Sequence, residues 1–282
     1  MERVGIIGIG LVGSALAERL LAAGFEVAGF DAQAAQNDAL SKLGGQPLGS
    51  ADEVAKLCET ILLSLPTSDI SAVTIEEIKL HLAGKTILDT TTGQPEAMAS
   101  LGQQLADIGC DYLDATIAGS SSQVRDGNVI VMLGGTKAAV SRCEKLLTAF
   151  AKQWFHLGPW GSGARMKLVV NLVLGLNRAV LAEGLSFAKS VGVDQRQALE
   201  VLKAGPAFSR VMEIKGEKML ARDFSPQARL AQHHKDVKLI LAEAARADVT
   251  LPLSQLHNEL LASLVAAGDG DLDNSAILKA FA

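Results

Sequence analysis

A glycine-rich turn between two short apolar segments near the N-terminus constrains the fold more than any other feature. Val4–Ile7 runs into GIGLVG (residues 8–13), and an amphipathic segment then continues to Gly24. A second apolar segment, Val27–Phe30, ends at Asp31. A Gly-x-Gly-x-x-Gly pattern alone is a weak signal. A strand before it, a helix after it and an acid at the end of the next strand supply the context that a dinucleotide-binding turn requires.

The same turn predicts how a dinucleotide would bind. Its glycines let the backbone approach a pyrophosphate, which then lies at the N-terminus of the following helix. Asp31 is expected to accept hydrogen bonds from the hydroxyls of the adenosine ribose. Residues 32–41 contain no Lys or Arg to bind a 2′-phosphate, so NAD is favoured over NADP. A glycine-rich turn without a ligand is the alternative.

Strand and helix patterns alternate through the first 160 residues, which predicts an α/β domain with a doubly wound, Rossmann-type sheet. Further strands are predicted over Thr60–Leu65, Thr86–Asp89, Tyr112–Asp114, Val129–Leu133 and Trp154–Leu157, and helices over Ile70–Leu82, Pro95–Ile108 and Ala138–Phe150. Ala115–Asn128 is rich in Gly and Ser and shows no periodicity. Later patterns are helical only. We therefore predict a dinucleotide-binding domain over residues 1–160 and an all-α domain over residues 161–282.

A long helix that joins the two domains is predicted over residues 161–190. It is apolar on nearly every side, which predicts burial against several neighbours. Lys167 and Asn171 lie one turn apart near its start and therefore on one face. The helix dipole gives a lysine there no stabilisation, so its side chain either reaches solvent or points into a polar cleft.

Composition argues against several classes of function. The net charge is −5 and no dense Lys/Arg block occurs, which disfavours nucleic-acid binding. No unbroken apolar run reaches about 18 residues, and the chain enters a strand at once, so neither a membrane span nor a signal peptide is expected. Cys58, Cys110 and Cys143 have no Cys or His at metal-ligand spacing. They indicate reduced thiols in a cytoplasm and no metal site.

With these motifs in order, the chain resembles the β-hydroxyacid dehydrogenase family, the relatives of 3-hydroxyisobutyrate dehydrogenase. Four segments match the family's motifs: GIIGIGLVGSALAERLLAAGFEV, LDTTTGQP, DATIAGSSSQVRDGNVIVMLGG and GSGARMKLVVN. A weaker fifth match is Lys235-Asp236 within HHKDVKLIL. The resemblance covers essentially the whole chain.

The resemblance implies an NAD(P)-dependent enzyme that interconverts a small 3-hydroxy acid and its semialdehyde and assembles as a homodimer or homotetramer. It implies that Lys167 and Asn171 are catalytic. The implied cofactor-binding residues are Gly8, Gly10, Leu11, Val12, Gly13, Asp31, Leu65, Pro66, Thr67, Thr92 and Lys235. The implied substrate-binding residues are Ala118, Gly119, Ser120, Ser121, Lys167, Asn171 and Lys235.

Each implied role has a chemical reason. Desolvation would bring the pKa of Lys167 towards the working pH, where an ammonium group can exchange a proton with the substrate oxygen. Asn171 would hydrogen-bond the same oxygen or the acid group. Backbone N–H groups around residues 119–121 would bind a carboxylate, and Lys235 would add a positive charge. The expected substrate is therefore small and anionic.

Several positions depart from the family pattern. Ala118 replaces a serine, Ser120 replaces the second glycine, and Val170 replaces the first of two asparagines. Ala228 stands where many relatives have phenylalanine. These changes fall on the substrate site and leave the cofactor turn and the lysine in place.

Other interpretations stay open. Imine reduction, oxidative decarboxylation of a sugar-acid phosphate, and a non-catalytic dinucleotide-binding protein are the alternatives. Related imine reductases generally lack this lysine, and the sugar-phosphate relatives have a much longer C-terminal region. A scaffold protein needs neither Lys167 nor Asn171. At most one of His233 and His234 is expected to face a cleft, and the remaining histidines are expected to be structural.

Overall fold

The computed structural model describes residues 2–281, and the chain divides into two compact units, Met1–Lys167 and Leu168–Ala282. The strands are β1 Arg3–Ile7, β2 Glu26–Phe30, β3 Gln46–Pro47, β4 Thr60–Leu63, β5 Thr86–Asp89, β6 Asp111–Ala118, β7 Ile130–Gly134 and β8 Gln153–Gly158. The helices between them are α1 Leu11–Ala22, α2 Ala34–Lys42, α3 Ala51–Leu57, α4 Ser68–Ile78, α5 Pro95–Asp107, α6 Ser121–Arg125, α7 Lys137–Arg142 and α8 Glu144–Phe150.

In the described chain the strands form one eight-stranded sheet in the order β3-β2-β1-β4-β5-β6-β7-β8. Pairing is parallel throughout, except that β7 runs antiparallel to β6. The order reverses between β1 and β4, and in such sheets this switch point opens a crevice at the carboxyl ends of the strands. The predicted Rossmann-type sheet is confirmed.

Alternating side chains divide the core of the first unit into two layers. Val4 and Ile6 pack with Leu16 and Leu20 of α1 on one face of the sheet. Ile7 belongs to the apolar layer on the other face. Because successive strand residues point to opposite faces and both faces are covered, the strands appear in the sequence as short continuous apolar runs.

The prediction was wrong about the segment that follows Asp111. Strand β6 extends to Ala118 rather than ending at Asp114, and α6 lies within the Gly/Ser-rich stretch. Asp114 and Thr116 break the apolar pattern of the strand, yet both are fully buried. Their polar groups bond to backbone elsewhere in the unit, so the usual cost of burying them is offset.

Smaller differences concern element boundaries. The short elements α2, α3 and β3 were not predicted, and the helix predicted over residues 138–150 is two helices, α7 and α8, that meet at Cys143. The helix predicted over residues 70–82 ends at Ile78, and a 3-10 turn, Lys79–His81, completes it.

The second unit is helical, as predicted. Helix α9 (Ser162–Ser190) begins in the first unit and continues into the second. The remaining elements are α10 Gln195–Ala204, α11 Arg210–Leu220, α12 Leu230–Arg246, α13 Pro252–Ala266 and two 3-10 segments, Asp269–Asp271 and Asn274–Phe281. Leu185 of α9, Leu199 and Leu261 are among the residues of its buried core.

Helix α9 is apolar on nearly every side, and part of this apolar surface is exposed within the single chain. Val169, Val173, Val180 and Phe187 are 50–66% exposed and recur at helical spacing on one side. Within residues 2–281, α9 alone has the length and hydropathy of a membrane span, with a mean hydropathy of 1.5 over 18 residues, of which 44% are buried in the protein. Its buried face carries polar groups such as Asn171.

Candidate functional site

The glycine turn between β1 and α1 is built as the sequence predicts. Gly8 has φ +92°, and a Cβ there would lie 2.4 Å from the carbonyl oxygen of Ser64. A Cβ on Gly13 would lie 2.0 Å from the carbonyl oxygen of Gly8. Gly10 has φ −71° and open space around it. Two of the three glycines are therefore needed for packing, whereas Gly10 leaves room for a ligand.

The N-terminus of α1 presents donors to that space. The helix begins at Leu11, so the N–H groups of Leu11, Val12 and Gly13 have no partner within the helix. Gly10 at the cap position has no side chain to bind them, and the first turn contains no acid. A helix N-terminus of this kind binds phosphate through its N–H groups and its dipole. The residues present fit the pyrophosphate of NAD(P).

Asp31 lies at the carboxyl end of β2, directly beside this turn. Its Oδ2 accepts from the Ile9 N–H at 2.6 Å, and its Oδ1 accepts from the Gln33 N–H at 2.8 Å. Asn37 holds the Asp31 backbone through its Oδ1 and Nδ2, both at 2.8 Å. Each carboxylate oxygen can accept more than one hydrogen bond, so the fixed carboxylate can still receive a hydroxyl.

The loops after β4 and β5 are tied to each other. The Leu65 N–H donates to Thr91 Oγ1 at 3.1 Å, and Ser71 Oγ donates to the same oxygen at 3.1 Å. Thr67 caps α4 by accepting from the Ile70 N–H. Pro66 and Thr92 lie in these loops. Since β1, β2, β4 and β5 are parallel neighbours, their carboxyl ends bring the predicted cofactor residues of the first unit to one edge of the sheet.

The segment Ala118–Ser121 differs from the predicted cluster of available amides. Ala118 ends β6, and Ser120 caps α6 with a capping box, in which its Oγ accepts from the Gln123 N–H. The Ser120 N–H in turn donates to Gln123 Oε1 at 2.9 Å. One of the three N–H groups expected to bind a carboxylate is therefore already paired within α6.

Lys167 projects from the second turn of α9 to the carboxyl end of β6. Its Nζ donates to the carbonyl oxygen of Ile117 at 2.5 Å, one residue before Ala118. The side chain is half-buried. The ammonium therefore lies at the same sheet edge as the glycine turn, beside the segment that the resemblance assigns to the substrate.

In the second unit, Asn171 is buried and paired. Its Nδ2 donates to Asp236 Oδ2 at 3.0 Å, and Lys235 Nζ lies 3.4 Å from Asp236 Oδ1. Sequence reasoning singled out Lys235 and missed Asp236 as a partner of Asn171. The position of Asp236 directly after Lys235 in the fifth motif could have indicated that Asp236 belongs to the site. Whether Lys235 contacts a cofactor or a substrate stays a prediction.

The three histidines of the second unit, His233, His234 and His257, are buried. His233 and His257 have ring centroids 5.2 Å apart, and both lie against Gly175, where a Cβ would meet His233 Nε2 at 2.5 Å. Burial, with a contribution from the charge of Arg178, lowers the pKa of His257 to about 4. His234 is also buried, and its Nε2 lies 3.1 Å from Asn258 Oδ1. Residues 2–281 contain no group of three or more His, Cys, Asp or Glu that could hold a metal.

Comparison with known proteins identifies relatives of both units. The family model described as the NAD binding domain of 6-phosphogluconate dehydrogenase matches residues 3–158. The model described as NAD-binding of NADP-dependent 3-hydroxyisobutyrate dehydrogenase matches residues 161–281. The 2-hydroxy-3-oxopropionate reductase of Escherichia coli (strain K12) is 32% identical over 247 residues, 86% of this chain and 85% of that protein.

Solved structures share the fold. Mycobacterium tuberculosis 3-hydroxyisobutyrate dehydrogenase with L-serine has a TM-score of 0.91 at 22% identity, covering 99% of this chain and 98% of that one. Psf3 in complex with NADP+ and 2-OPP has a TM-score of 0.87 at 21% identity, covering 99% and 100%. With the sequence matches to both units and the NAD(P)-type turn, these similarities place the chain in the β-hydroxyacid dehydrogenase family of NAD(P)-dependent oxidoreductases.

Proposed function

We propose that this protein interconverts a small 3-hydroxy acid and its semialdehyde with NAD(H), and that Lys167 is the general acid and base. The observation that carries the proposal is the position of Lys167 Nζ, 2.5 Å from the Ile117 carbonyl oxygen at the carboxyl end of β6. That end of the sheet also carries the glycine turn, and Ala118–Ser121 follows Ile117 directly.

The chemistry divides between cofactor and protein. A bound nicotinamide supplies hydride to a carbonyl carbon, or takes it from an alcohol. In reduction, Lys167 donates a proton to the carbonyl oxygen; in oxidation, its neutral amine takes the hydroxyl proton. The Ile117 carbonyl orients the ammonium without neutralising its charge. Arginine could not replace it, because a guanidinium does not give up its proton.

Two features favour a substrate with a carboxylate. The segment Gly119–Ser121 keeps two of its three backbone N–H groups outside the α6 capping box, and the Lys235 ammonium lies 3.4 Å from Asp236 Oδ1 in the second unit. Ala118 has no hydroxyl to offer, so a substrate that depends on that contact should bind less tightly. Asp236 accepts one N–H of Asn171 and thereby fixes which amide atoms the asparagine can present to a substrate oxygen.

Preference for NAD(H) over NADP(H) is part of the proposal. Asp31 is held beside the glycine turn by two backbone N–H groups, and its carboxylate would repel a 2′-phosphate. Residues 32–41 offer no cation. The family model over residues 161–281 is described as NADP-dependent, so NADP(H) is the alternative. A larger kcat/KM with NADPH than with NADH would refute the role of Asp31.

A turnover screen tests the reaction. The protein is assayed with both cofactors against small 3-hydroxy acids and the matching semialdehydes, with cyclic imines as a third panel. We expect turnover in the first two panels only. Imine reduction would favour the imine reductase alternative. Tight NADH binding without turnover on any panel would favour a non-catalytic dinucleotide-binding protein.

Lys167 variants test the mechanism. Lys167→Ala should lower kcat by about 10²–10⁴-fold, the usual contribution of a positioned general acid, with the NADH Kd nearly unchanged. Lys167→Arg should not restore it. Solvent-exposed Lys152, changed to Ala, is the matched control and should keep wild-type kcat. An unchanged kcat in Lys167→Ala would exclude the lysine from catalysis.

We further propose a homodimer in the cytoplasm, with residues 161–282 as the substrate and dimerisation domain. The apolar stripe on α9 supports the homodimer. Exposed, contiguous apolar surface of this kind marks protein interfaces. Val180→Glu combined with Phe187→Glu should shift the sedimentation coefficient to that of a monomer. Leu80→Glu, at an exposed position of the first unit, is the control. A wild-type monomer at micromolar concentration would contradict the assembly, and cell fractionation tests the cytoplasmic location.

A further inference from the structure

Asp114 of β6 is fully buried, and its carboxylate binds the beginning of α9. Oδ1 accepts from the Gly161 N–H at 2.9 Å, and Oδ2 accepts from the Ala164 N–H at 2.8 Å. A carboxylate on the first N–H groups of a helix is stabilised by the helix dipole. The cap of α9 therefore comes from a strand about fifty residues earlier in the chain, and it attaches the helix to the sheet.

Two further contacts follow along the same strand. Thr116, also fully buried, donates from Oγ1 to the carbonyl oxygen of Gly163 at 2.9 Å. The Ile117 carbonyl then accepts from Lys167 Nζ at 2.5 Å. Asp114 and Thr116 point to the same face of β6, since strand side chains alternate. Together they bind the N–H groups of Gly161 and Ala164 and the carbonyl oxygen of Gly163. These contacts fix the position and rotation of α9 just before Lys167.

The start of α9 packs against β6 and β7 with no space for a side chain at two glycines. A Cβ on Gly163 would lie 2.5 Å from the Met132 carbonyl oxygen and 2.6 Å from that of Asp114. A Cβ on Gly134 would lie 2.3 Å from Asp114 Oδ1. Glycine at position 163 lets the start of α9 lie against the sheet backbone. Glycine at position 134 of β7 leaves room for the Asp114 carboxylate. The first turn of α9 therefore lies directly against the backbone of β6 and β7.

We infer that Asp114 is a positioning residue for Lys167: by fixing the first turn of α9 on β6, it sets where the lysine ammonium lies. The inference rests on the proposed function of Lys167 and deepens it. Lys167 follows Ala164 by three residues, less than one helical turn, so a shift of the cap is transmitted to Nζ. A displacement of about 1 Å at a reacting group can lower a rate about 10²-fold.

Asp114→Asn tests the inference, because an amide offers one acceptor atom in place of two. Either the Gly161 or the Ala164 N–H would then face an N–H₂ group. We expect kcat to fall about 10–100-fold, with the NADH Kd and the substrate KM within about threefold of wild type. Thr116→Val should lower kcat in the same direction, and Thr116→Ser, which keeps the hydroxyl, should restore it.

Lys85→Met is the matched control. Lys85 Nζ donates to the carbonyl oxygens of Ala55 (2.6 Å) and Cys58 (2.9 Å), away from α9. Lys85→Met removes these two part-buried hydrogen bonds from the first unit, so the Tm should fall. The kcat should remain at the wild-type value. If Lys85→Met and Asp114→Asn lower kcat equally at matched loss of Tm, Asp114 is only structural and the inference fails.

A second readout does not depend on turnover. The rate at which an amine-reactive reagent acylates Lys167, followed by mass spectrometry, reports how firmly Nζ is held at Ile117. We expect Asp114→Asn to change this rate at least threefold and Lys85→Met to leave it unchanged. Wild-type kcat in Lys167→Ala would refute the proposed function, and the acylation rate would still decide the role of Asp114. An unchanged rate in Asp114→Asn, or in Thr116→Val if the first variant does not fold, overturns the inference.

Discussion

Gly13, in the first turn of α1, is the residue at which one added methyl group tests the packing of the glycine turn. A Cβ built there lies 2.0 Å from the carbonyl oxygen of Gly8 and 3.0 Å from its carbonyl carbon. Because real Cβ atoms essentially never come closer than 3.0 Å to such an atom, Gly13→Ala would force α1 and β1 apart by about 1 Å. The atoms met are backbone, so no flexible side chain can move aside.

The magnitude follows from the rigidity of the contact. Overpacking a well-packed core costs about 1–3 kcal/mol and occasionally more, and a backbone collision belongs at the upper end. We expect Gly13→Ala to lower the free energy of unfolding of the first unit by about 3 kcal/mol. For a domain of this size, that corresponds to a fall in Tm of about 6–12 °C. Differential scanning calorimetry is the assay, since it can resolve separate melting of the two units.

Gly10→Ala is the matched control in the same turn. Gly10 has φ −71° and no heavy atom within 4 Å of an added Cβ. Its effect on the Tm of the cofactor-free protein should stay within about 2 °C, as for an exposed substitution. The NADH Kd, measured by fluorescence titration, should rise at least about tenfold, because the methyl group occupies the approach of the pyrophosphate. Equal Tm values for Gly13→Ala and wild type would refute the packing argument, and normal NADH binding by Gly10→Ala would refute the placement of the cofactor.

Two further predictions concern the second unit. Asp236→Ala leaves the Asn171 amide without its carboxylate partner, so steady-state kcat/KM should fall about 10–100-fold, corresponding to about 1.5–3 kcal/mol for a hydrogen bond to a charged group. Asp236→Asn keeps an acceptor, so its kcat/KM should fall less. Equal falls in kcat/KM for the two variants would contradict the hydrogen-bond argument. Asp273→Asn should cost about 3–5 kcal/mol in urea denaturation at pH 7, because buried Lys215, 2.8 Å from Asp273 Oδ1, loses its counter-charge. Burial alone would raise the pKa of Asp273, but the Lys215 ammonium and backbone N–H groups lower it to about 2, so its stabilisation is present above about pH 4 and lost as the pH falls through 2. A stability difference between Asp273→Asn and wild type that does not shrink from pH 5 to pH 2.5 would refute this linkage.

The sequence predicted the features that depend on local geometry. The glycine turn could be recognised because only glycine fits at positions 8 and 13, where a Cβ would collide with backbone atoms. The parallel strands were recognised because burial on both faces makes them continuous apolar runs. Lys167 and Asn171 could be placed on one face of a helix from their spacing alone. The Rossmann-type sheet, the helical second unit and the family followed from these patterns.

The tertiary structure alone decided which partners the polar groups take. Asp114 and Thr116 interrupt an apolar strand, and their buried polar groups bind the start of α9, about fifty residues later. The true length of β6 is set by β7, which pairs with residues 114–118. Asn171 meets Asp236 across 65 residues of sequence. The Ser120 amide, expected to bind substrate, is paired within α6 instead. A periodic pattern reports how a segment meets solvent and core. A buried donor or acceptor is satisfied by whichever group the fold brings within about 3 Å, and that group can lie anywhere in the chain.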